Sequence, residues 1–467
     1  VPAIVLALRV VTIGAMGLNA PVPVPVYHGP FGKAQAERLL WRAGFGPRPG
    51  DAEKLAKLGL KHAVYSMTRP VPYQLVGPDP HDERNRALAP ADAVGHDHLS
   101  WLDRMVRTTA PSIERMTLIW HDWFATSNLG VASQRLMLDQ IDMFRANAFG
   151  SFKDLLLDVT QNPAMLVWLN GNQNVKGKPN ENYARELMEL FTLGASRGYT
   201  EDDVRQQARA LTGFRYDWDE NLGPVNFRFD RNWHDAGTKT IFGKSGKYDW
   251  DDSCHLCLRN GRHASFFVRK LWSYFIPTPP PYPTQRALEK LYVGKGYAVK
   301  PVLTAILKHP AFYTGPRMVK PPMVLLAGML RAKARGIDTD AWSWLSDMAG
   351  QHLFYPPNVA GWDDARWLDT ATYRGRWYLV NYVLEGHVKN PDTQAGTEPL
   401  NATKLVSRAL EFWGSPWMSI RMHAALVDFA KRALATADED WKRRTYPVLT
   451  QNALRQLIAS SPDYQTS

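Results

Sequence analysis

The chain of 467 residues carries only two cysteines, Cys254 and Cys257, in "DDSCHLCLRN". This scarcity excludes a disulfide framework as the source of its stability. Two cysteines at this spacing on a helix suit a local disulfide or two simple thiols. A zinc site would need a second pair, and His255 and His263 lie at poor spacing to supply one. Avoidance of other cysteines is compatible with export. Basic residues exceed acidic ones, 56 to 45, yet no run of five or more basic residues occurs, and "KRR" at 442–444 is the densest cluster. The excess suits anionic partners such as an acidic polysaccharide, a cell-wall polymer or a membrane surface, and the absence of a basic arm argues against specific nucleic-acid binding.

Several catalytic signatures are also missing. There is no Gly-x-x-x-x-Gly-Lys-[Ser/Thr] loop, Gly-x-Ser-x-Gly elbow, dinucleotide fingerprint or His-Glu-x-x-His. Nucleotide-dependent and serine-hydrolase chemistries are therefore disfavoured. No run is long enough for a transmembrane segment. The apolar stretch from Ile4 to Leu18 is interrupted by Arg9 and resembles a remnant of a signal h-region without a basic start. "APVPVPV" then reads as an extended connector.

What is present is a folded composition, 45% hydrophobic and 22% charged, which rules out global disorder. From Phe31 onward apolar residues recur at helical spacing, with a Pro- and Asp-rich loop over 70–96. The interval 214–248 alternates aromatic residues with Gly turns. The fold expected is all-α, a large multi-helix body with a small β-ribbon or irregular insert at 214–248. The organisation expected is an extended N-terminal segment (1–30), a main helical domain (31–390) and a C-terminal helical extension (391–467) packed on it. Seventeen tryptophans recur beside polar groups, as in "WHDWF" and "NWHD". Most suit a core, while flat rings beside carboxylates and amides also suit sugar binding.

The stretch Lys178–Gly194, "KPNENYARELMELFTLG", places Asn180 as a natural N-cap and pairs Arg185 with Glu181 and Glu189 at i,i+4. Glu186 has no such cation: its neighbours are Asn182 and Leu190. A half-buried, unpaired carboxylate is a candidate general acid or base. In "ERMTLIWHDWFATSN", apolar residues cover most of the circumference, so His121 and Asp122 sit within a buried helix. A buried His or Asp is either locked in a network or faces a cavity. Two further His-Asp pairs occur, His96-Asp97 and His234-Asp235. Repeated His-Asp dipeptides resemble those of helical metal-dependent phosphohydrolases, although order and flanks differ. His121, His234, Asp235 and Glu186, with Asp122, would suit a divalent metal if the fold gathered them. In "YTEDDVRQQARALTGF", Thr200 and Asp203 form a box-like helix start, and Arg205 and Arg209 share a face that suits either an anionic substrate or salt bridges to Glu186 or Glu189.

The runs "ERLLWRAGFGP", "ERMTLIWHDWFATS", "KPNENYARELMELFTLG", "YTEDDVRQQARALTGF", "HDAGTKTIFG", "FFVRKLWSYF" and "YPPNVAGW" together resemble the large bacterial family catalogued as domain of unknown function 1800, over roughly residues 30–390. The Cys254/Cys257 pair is similar to an actinobacterial subset. The resemblance implies a mainly helical, often exported bacterial protein, no agreed reaction, and His121, Asn182, Arg185, Glu186, Arg209, His234 and Asp235 as shared motif positions. The leading expectation is an exported or envelope-associated hydrolase acting on a carbohydrate-containing or anionic polymer. Glu186, His121 and Asp122 would be catalytic, and Asn182, Arg185, Arg209, Trp120, Trp233 and Lys239 would bind substrate. A metal-dependent hydrolase is the second expectation. A non-catalytic envelope or assembly protein, its polar motifs serving as buried networks, is the third.

Overall fold

The computed structural model describes residues 23–70, 73–391 and 401–467; the apolar stretch Ile4–Leu18 lies outside them. Helix accounts for 59% of the structure, and among the described residues the strands are confined to two small antiparallel hairpins, so the protein is all-α with a β insert. The insert holds β1 (Phe214–Asp219) paired with β2 (Gly223–Phe229), then β3 (Lys239–Ile241) paired with β4 (Lys244–Gly246).

Two helices explain where the core lies. Pro322–Lys333, "PMVLLAGMLRAK", is apolar around its circumference, and its residues from Pro322 to Ala332 are buried. Such a helix has no polar face to give to water and must run through the interior. Gly328 permits the closest approach: a Cβ there would lie 2.2 Å from the Trp41 ring, so any side chain would push the Lys33–Arg42 helix away. The Pro111–Trp123 helix is buried along most of its length for the same reason. Trp101, Trp120, Trp123, Trp272 and Trp342 are fully buried, which assigns these large rings to core filling. The helices Ala402–Phe412 and Asp440–Ser460 add Leu405, Leu454 and Ile458 to the same continuous apolar cluster. Arg42 ties the end of that region to the body, donating from Nη2 to the Ser467 carbonyl at 2.6 Å.

Within Lys178–Gly194 the helix starts later than Asn180 predicts. Asn180 Oδ1 accepts the backbone N–H of Asn182 at 2.9 Å, a side-chain turn that reverses the chain before the helix rather than capping it. The α-helix is Asn182–Glu186, and it widens into a π-helix over Leu187–Thr192. The Leu193 N–H reaches Met188 O, five residues back, at 2.8 Å, and the Thr192 hydroxyl donates to Leu187 O. Widened turns of this kind recur at functional sites. Among the described residues no helix is long and apolar enough to cross a membrane.

Candidate active site

Asp122 occupies the last turn of the Pro111–Trp123 helix and opens into a cleft of about 200 Å³. Its Oδ2 accepts the Tyr274 hydroxyl at 2.6 Å, and its Oδ1 accepts the Trp362 backbone N–H at 2.9 Å. Arg115, Lys270, Gln351, Asp364 and Trp367 also line the cleft. Gly361 is required beside it. Its φ of +93° is a left-handed conformation, and a Cβ there would lie 2.4 Å from Asp122 Oδ1. Only glycine lets the loop at 358–362 bring the Trp362 N–H to the carboxylate.

Lys270 and Tyr274 stand at i,i+4 at the end of the His263–Ser273 helix, so both side chains face the same side. Lys270 Nζ donates to Leu190 O at 3.1 Å and to Trp123 O at 3.4 Å, and lies 4.7 Å from the Trp123 ring centroid. These carbonyls end the π-helix and the Pro111–Trp123 helix, where unpaired C=O groups and the negative ends of two helix dipoles favour a cation. The Trp123 indole N–H closes a third link, to Phe191 O at 3.2 Å. The widened turn therefore positions the ammonium. Lys270 and Asp122 both line the cleft without a direct ion pair.

The electrostatics are those of a site rather than a surface. Burial pushes the Asp122 carboxyl up, while Tyr274, Trp362, Lys270 and Arg115 hold it down. Burial pulls the Lys270 ammonium down to about 8, with Asp122 opposing. Burial and then Asp122 raise the Tyr274 phenol, so it keeps its proton and acts as a donor. Arg115 is lowered to about 10 by burial. A carboxylate and an amine displaced toward each other across a small cleft can exchange protons with a bound molecule near neutral pH.

The other expected site residues fall elsewhere. His121 points into an aromatic box, with ring centroids 5.4 Å from Trp101, 6.0 Å from Phe354 and 5.4 Å from Trp362. Neither ring nitrogen has a partner, burial lowers its pKa to about 3, and it does not line the cleft. Trp120 is fully buried and is a core residue rather than a substrate platform. Glu186 is half-buried and raised by burial and then by Glu189, as its missing cation predicts, but it does not share the Asp122 cleft. Arg185 pairs with Glu181 and Glu201 instead of Glu189, and Asn182 is exposed beside it.

The expected metal quartet is not assembled. Arg209 takes Asp235 in a two-point ion pair at 2.7 and 3.3 Å, rather than meeting Glu186 or Glu189. His234 Nδ1 lies 2.9 Å from Thr212 O, and the Asp235 N–H donates to the Thr212 hydroxyl. Lys239 is spent on the Asp235 and Tyr248 carbonyls. These contacts clasp the insert to the Glu201–Ala210 helix. Trp233 is 44% exposed, and Arg215 lies 4.5 Å from its ring centroid. Among the described residues no group of three or more His, Cys, Asp or Glu side chains is placed to hold a metal ion. The two cysteines are free, buried thiols, and burial raises Cys257 to about 12.

Four of the resembling runs thus meet around one carboxylate: "WHDWF" supplies Asp122 and the Trp123 carbonyl, "FFVRKLWSYF" supplies Lys270 and Tyr274, "VAGW" supplies Gly361 and Trp362, and "ELFTLG" supplies the Leu190 carbonyl that with Trp123 O holds Lys270. The family described as "Protein of unknown function (DUF1800)" matches residues 38–466, nearly the whole chain. The chain belongs to this family. No curated protein and no solved structure matches it. The DUF1800 match extends past residue 390, and so takes in the C-terminal helices that share the core. Lys270, Tyr274, Arg115 and Trp362 were not singled out from the sequence. The available signal was the i,i+4 spacing of Lys270 and Tyr274 in "FFVRKLWSYF".

Proposed function

We infer that the protein is an acid–base enzyme of the hydrolase class, centred on Asp122, that acts on a small anionic terminal unit of a carbohydrate-containing or other anionic polymer. The observation that carries this reading is the Asp122 carboxylate, held by Tyr274 and Trp362, facing Lys270 and Arg115 across a cleft of about 200 Å³. That volume admits a chain end rather than a polymer strand, and the two cations suit a carboxylate, sulfate or phosphate on it. Two Lys270 N–H bonds go to carbonyls, which leaves a third for the cleft.

In the step proposed, Asp122 accepts a proton from water as the water oxygen bonds to the electrophilic atom. The leaving group takes its proton from the Lys270 ammonium as its bond breaks. Proton return from Asp122 to Lys270 by way of solvent restores the site, and Tyr274 keeps the carboxylate oriented throughout. Exported placement accords with what the family resemblance implies.

The test is release of new termini from a panel of acidic and neutral polysaccharides by purified protein. Asp122→Asn is expected to abolish release with the fold intact by circular dichroism, and Tyr274→Phe to reduce it. A folded Asp122→Asn protein with wild-type release would overturn the assignment.

A further inference from the structure

A second cavity, of about 250 Å³, lies between the Lys33–Arg42 helix and residues 463–467. Its boundary with the Asp122 cleft is the segment 317–321: Met318 and Pro321 line the cleft, while Arg317 and Lys320 line the second cavity. Nothing in the Asp122 chemistry uses it.

The unusual feature is a pair of opposite charges buried close together without touching. Glu37 is 7% exposed and Lys320 is 3% exposed; both line the cavity, and no direct ion pair joins them. The two Glu37 oxygens share the Trp417 backbone N–H, at 3.1 and 3.3 Å. Lys320 Nζ donates to Tyr464 O and sits 3.5 Å from the Trp41 ring centroid. A carboxylate offers about four lone-pair sites and an ammonium three N–H bonds, so each keeps unused capacity. Burial correspondingly pushes Glu37 up and Lys320 down. The Tyr464 side chain forms part of the same wall, and its buried hydroxyl has no protein partner. Buried charges held apart are unfavourable unless a third body joins them.

A molecule that completes this arrangement must donate toward Glu37, accept from Lys320 and offer a flat, partly apolar face to the exposed Trp417 ring. Trp417, at the rim, is 41% exposed, and the Arg317 guanidinium lies 4.6 Å from its ring centroid, its Nε and Nη2 bonded to Thr466 and to the Asp463 carbonyl, with the Asp463 carboxylate on the same cavity wall. A sugar ring bearing a carboxylate has all three properties: hydroxyl donors, an anionic acceptor and a C–H face for indole. We propose that this cavity is a binding site for one acidic sugar unit, its hydroxyls on Glu37 and its carboxylate on Lys320 and Arg317. The site stands independently of the Asp122 reading.

Isothermal titration of the full chain with D-glucuronate, glucose and acetate tests it. Saturable binding of glucuronate is expected, at least tenfold tighter than glucose or acetate. Lys320→Met and Glu37→Gln should each weaken it at least tenfold, and Asp122→Asn should leave it unchanged. Because the first two substitutions alter buried charges, Trp417→Ala at the exposed rim provides a variant that keeps the fold, and it should weaken binding several-fold. An oligoglucuronate that binds more tightly than the monosaccharide identifies a polymer end as the ligand, and equal affinity identifies the free sugar; both support the site. Absence of saturable glucuronate binding overturns the proposal. So does binding that survives Trp417→Ala and Lys320→Met but is lost in Asp122→Asn, which would place the sugar in the other cleft.

Discussion

His121 should make the protein acid-labile in a way that one substitution removes. Its imidazole is sealed among Trp101, Phe354 and Trp362 with both nitrogens unpartnered, and burial lowers its pKa from the usual 6.5 to about 3. The unfolded chain therefore binds this proton more readily than the folded one at any pH between those values, so stability falls as pH drops through the window. At about pH 4.5 the loss from this residue is roughly two pH units times 1.36 kcal/mol, or about 2.7 kcal/mol, relative to about pH 7.5. In His121→Phe the ring stays aromatic and of similar volume, and two unpaired polar atoms disappear, a change of roughly 1–3 kcal/mol in favour of the folded state. Urea unfolding followed by tryptophan fluorescence at the two pH values measures both effects. Wild type should lose about 2.7 kcal/mol more than the variant between them. Other buried histidines, His98 and His263, contribute to both proteins and cancel in the difference. Equal pH dependence in the two proteins would refute the reasoning. So would a His121→Phe protein less stable than wild type at the higher pH, because the box would then be holding imidazole for a partner. The polymer-end release proposed for Asp122 should stay within a factor of a few in the variant, since the ring does not line the cleft.

The pH–rate profile should carry an alkaline limb near 8, where Lys270 loses its proton, and an acidic limb from Asp122 that burial shifts upward from the usual aspartate value; Lys270→Met should abolish turnover rather than shift the limb. Gly361→Ala should cost roughly 1–3 kcal/mol in thermal or urea unfolding and lower activity, because both the positive φ and the 2.4 Å approach to Asp122 forbid a Cβ; wild-type behaviour would show that the loop can move aside. Glu186→Gln should leave activity intact and be neutral or stabilising at pH 7. Its folded-state pKa is raised by burial and Glu189, so the charge costs stability as pH rises from the unfolded value through the folded one; loss of activity without loss of fold would return Glu186 to the site. Asp235→Ala should loosen the insert by leaving Arg209 partly buried and unpaired, seen as faster proteolysis within 214–248 with activity retained.

Helical periodicity made the body of this protein legible because its apolar residues sit at the spacing that a packed helix requires. The insert was legible because alternation and Gly turns replaced that period. Glu186 shows where such reading reaches its limit. The lack of an i,i+4 cation agrees with the upward direction of its pKa, yet local spacing does not tell which cavity it faces. His121 shows the same limit from the other side: the apolar circumference implies a buried histidine, but whether it meets a partner or a box of rings depends on Trp101 and on Phe354 and Trp362, the latter two more than two hundred positions away. Arg209, His234, Asp235 and Lys239 looked like chemistry because they are polar and crowded. The fold uses them against one another and against backbone carbonyls, and a chain read in one dimension does not reveal mutual satisfaction.

Asp122 differs from those residues in what remains after its partners are counted. Its two bonds, to Tyr274 and the Trp362 N–H, use one lone pair on each oxygen, and the cleft side stays open. Had the site served only to fix helix packing, Lys270 would be expected to close on it as a direct ion pair, since a buried carboxylate left short of partners costs several kcal/mol. Instead the ammonium is drawn toward Leu190 O and Trp123 O by two helix ends, one of them a π-helix that closes with the Leu193 N–H bonded five residues back and the Thr192 hydroxyl on Leu187 O. The run Lys178–Gly194 thus contributes to the site through its backbone, with its side-chain polarity spent elsewhere. A fold that builds a widened turn, places a left-handed glycine against the opposite wall and holds a cation back from its nearest anion keeps a gap that packing alone would fill. The gap is what a substrate would occupy, and it is the physical reason for choosing catalysis over a closed structural network at Asp122.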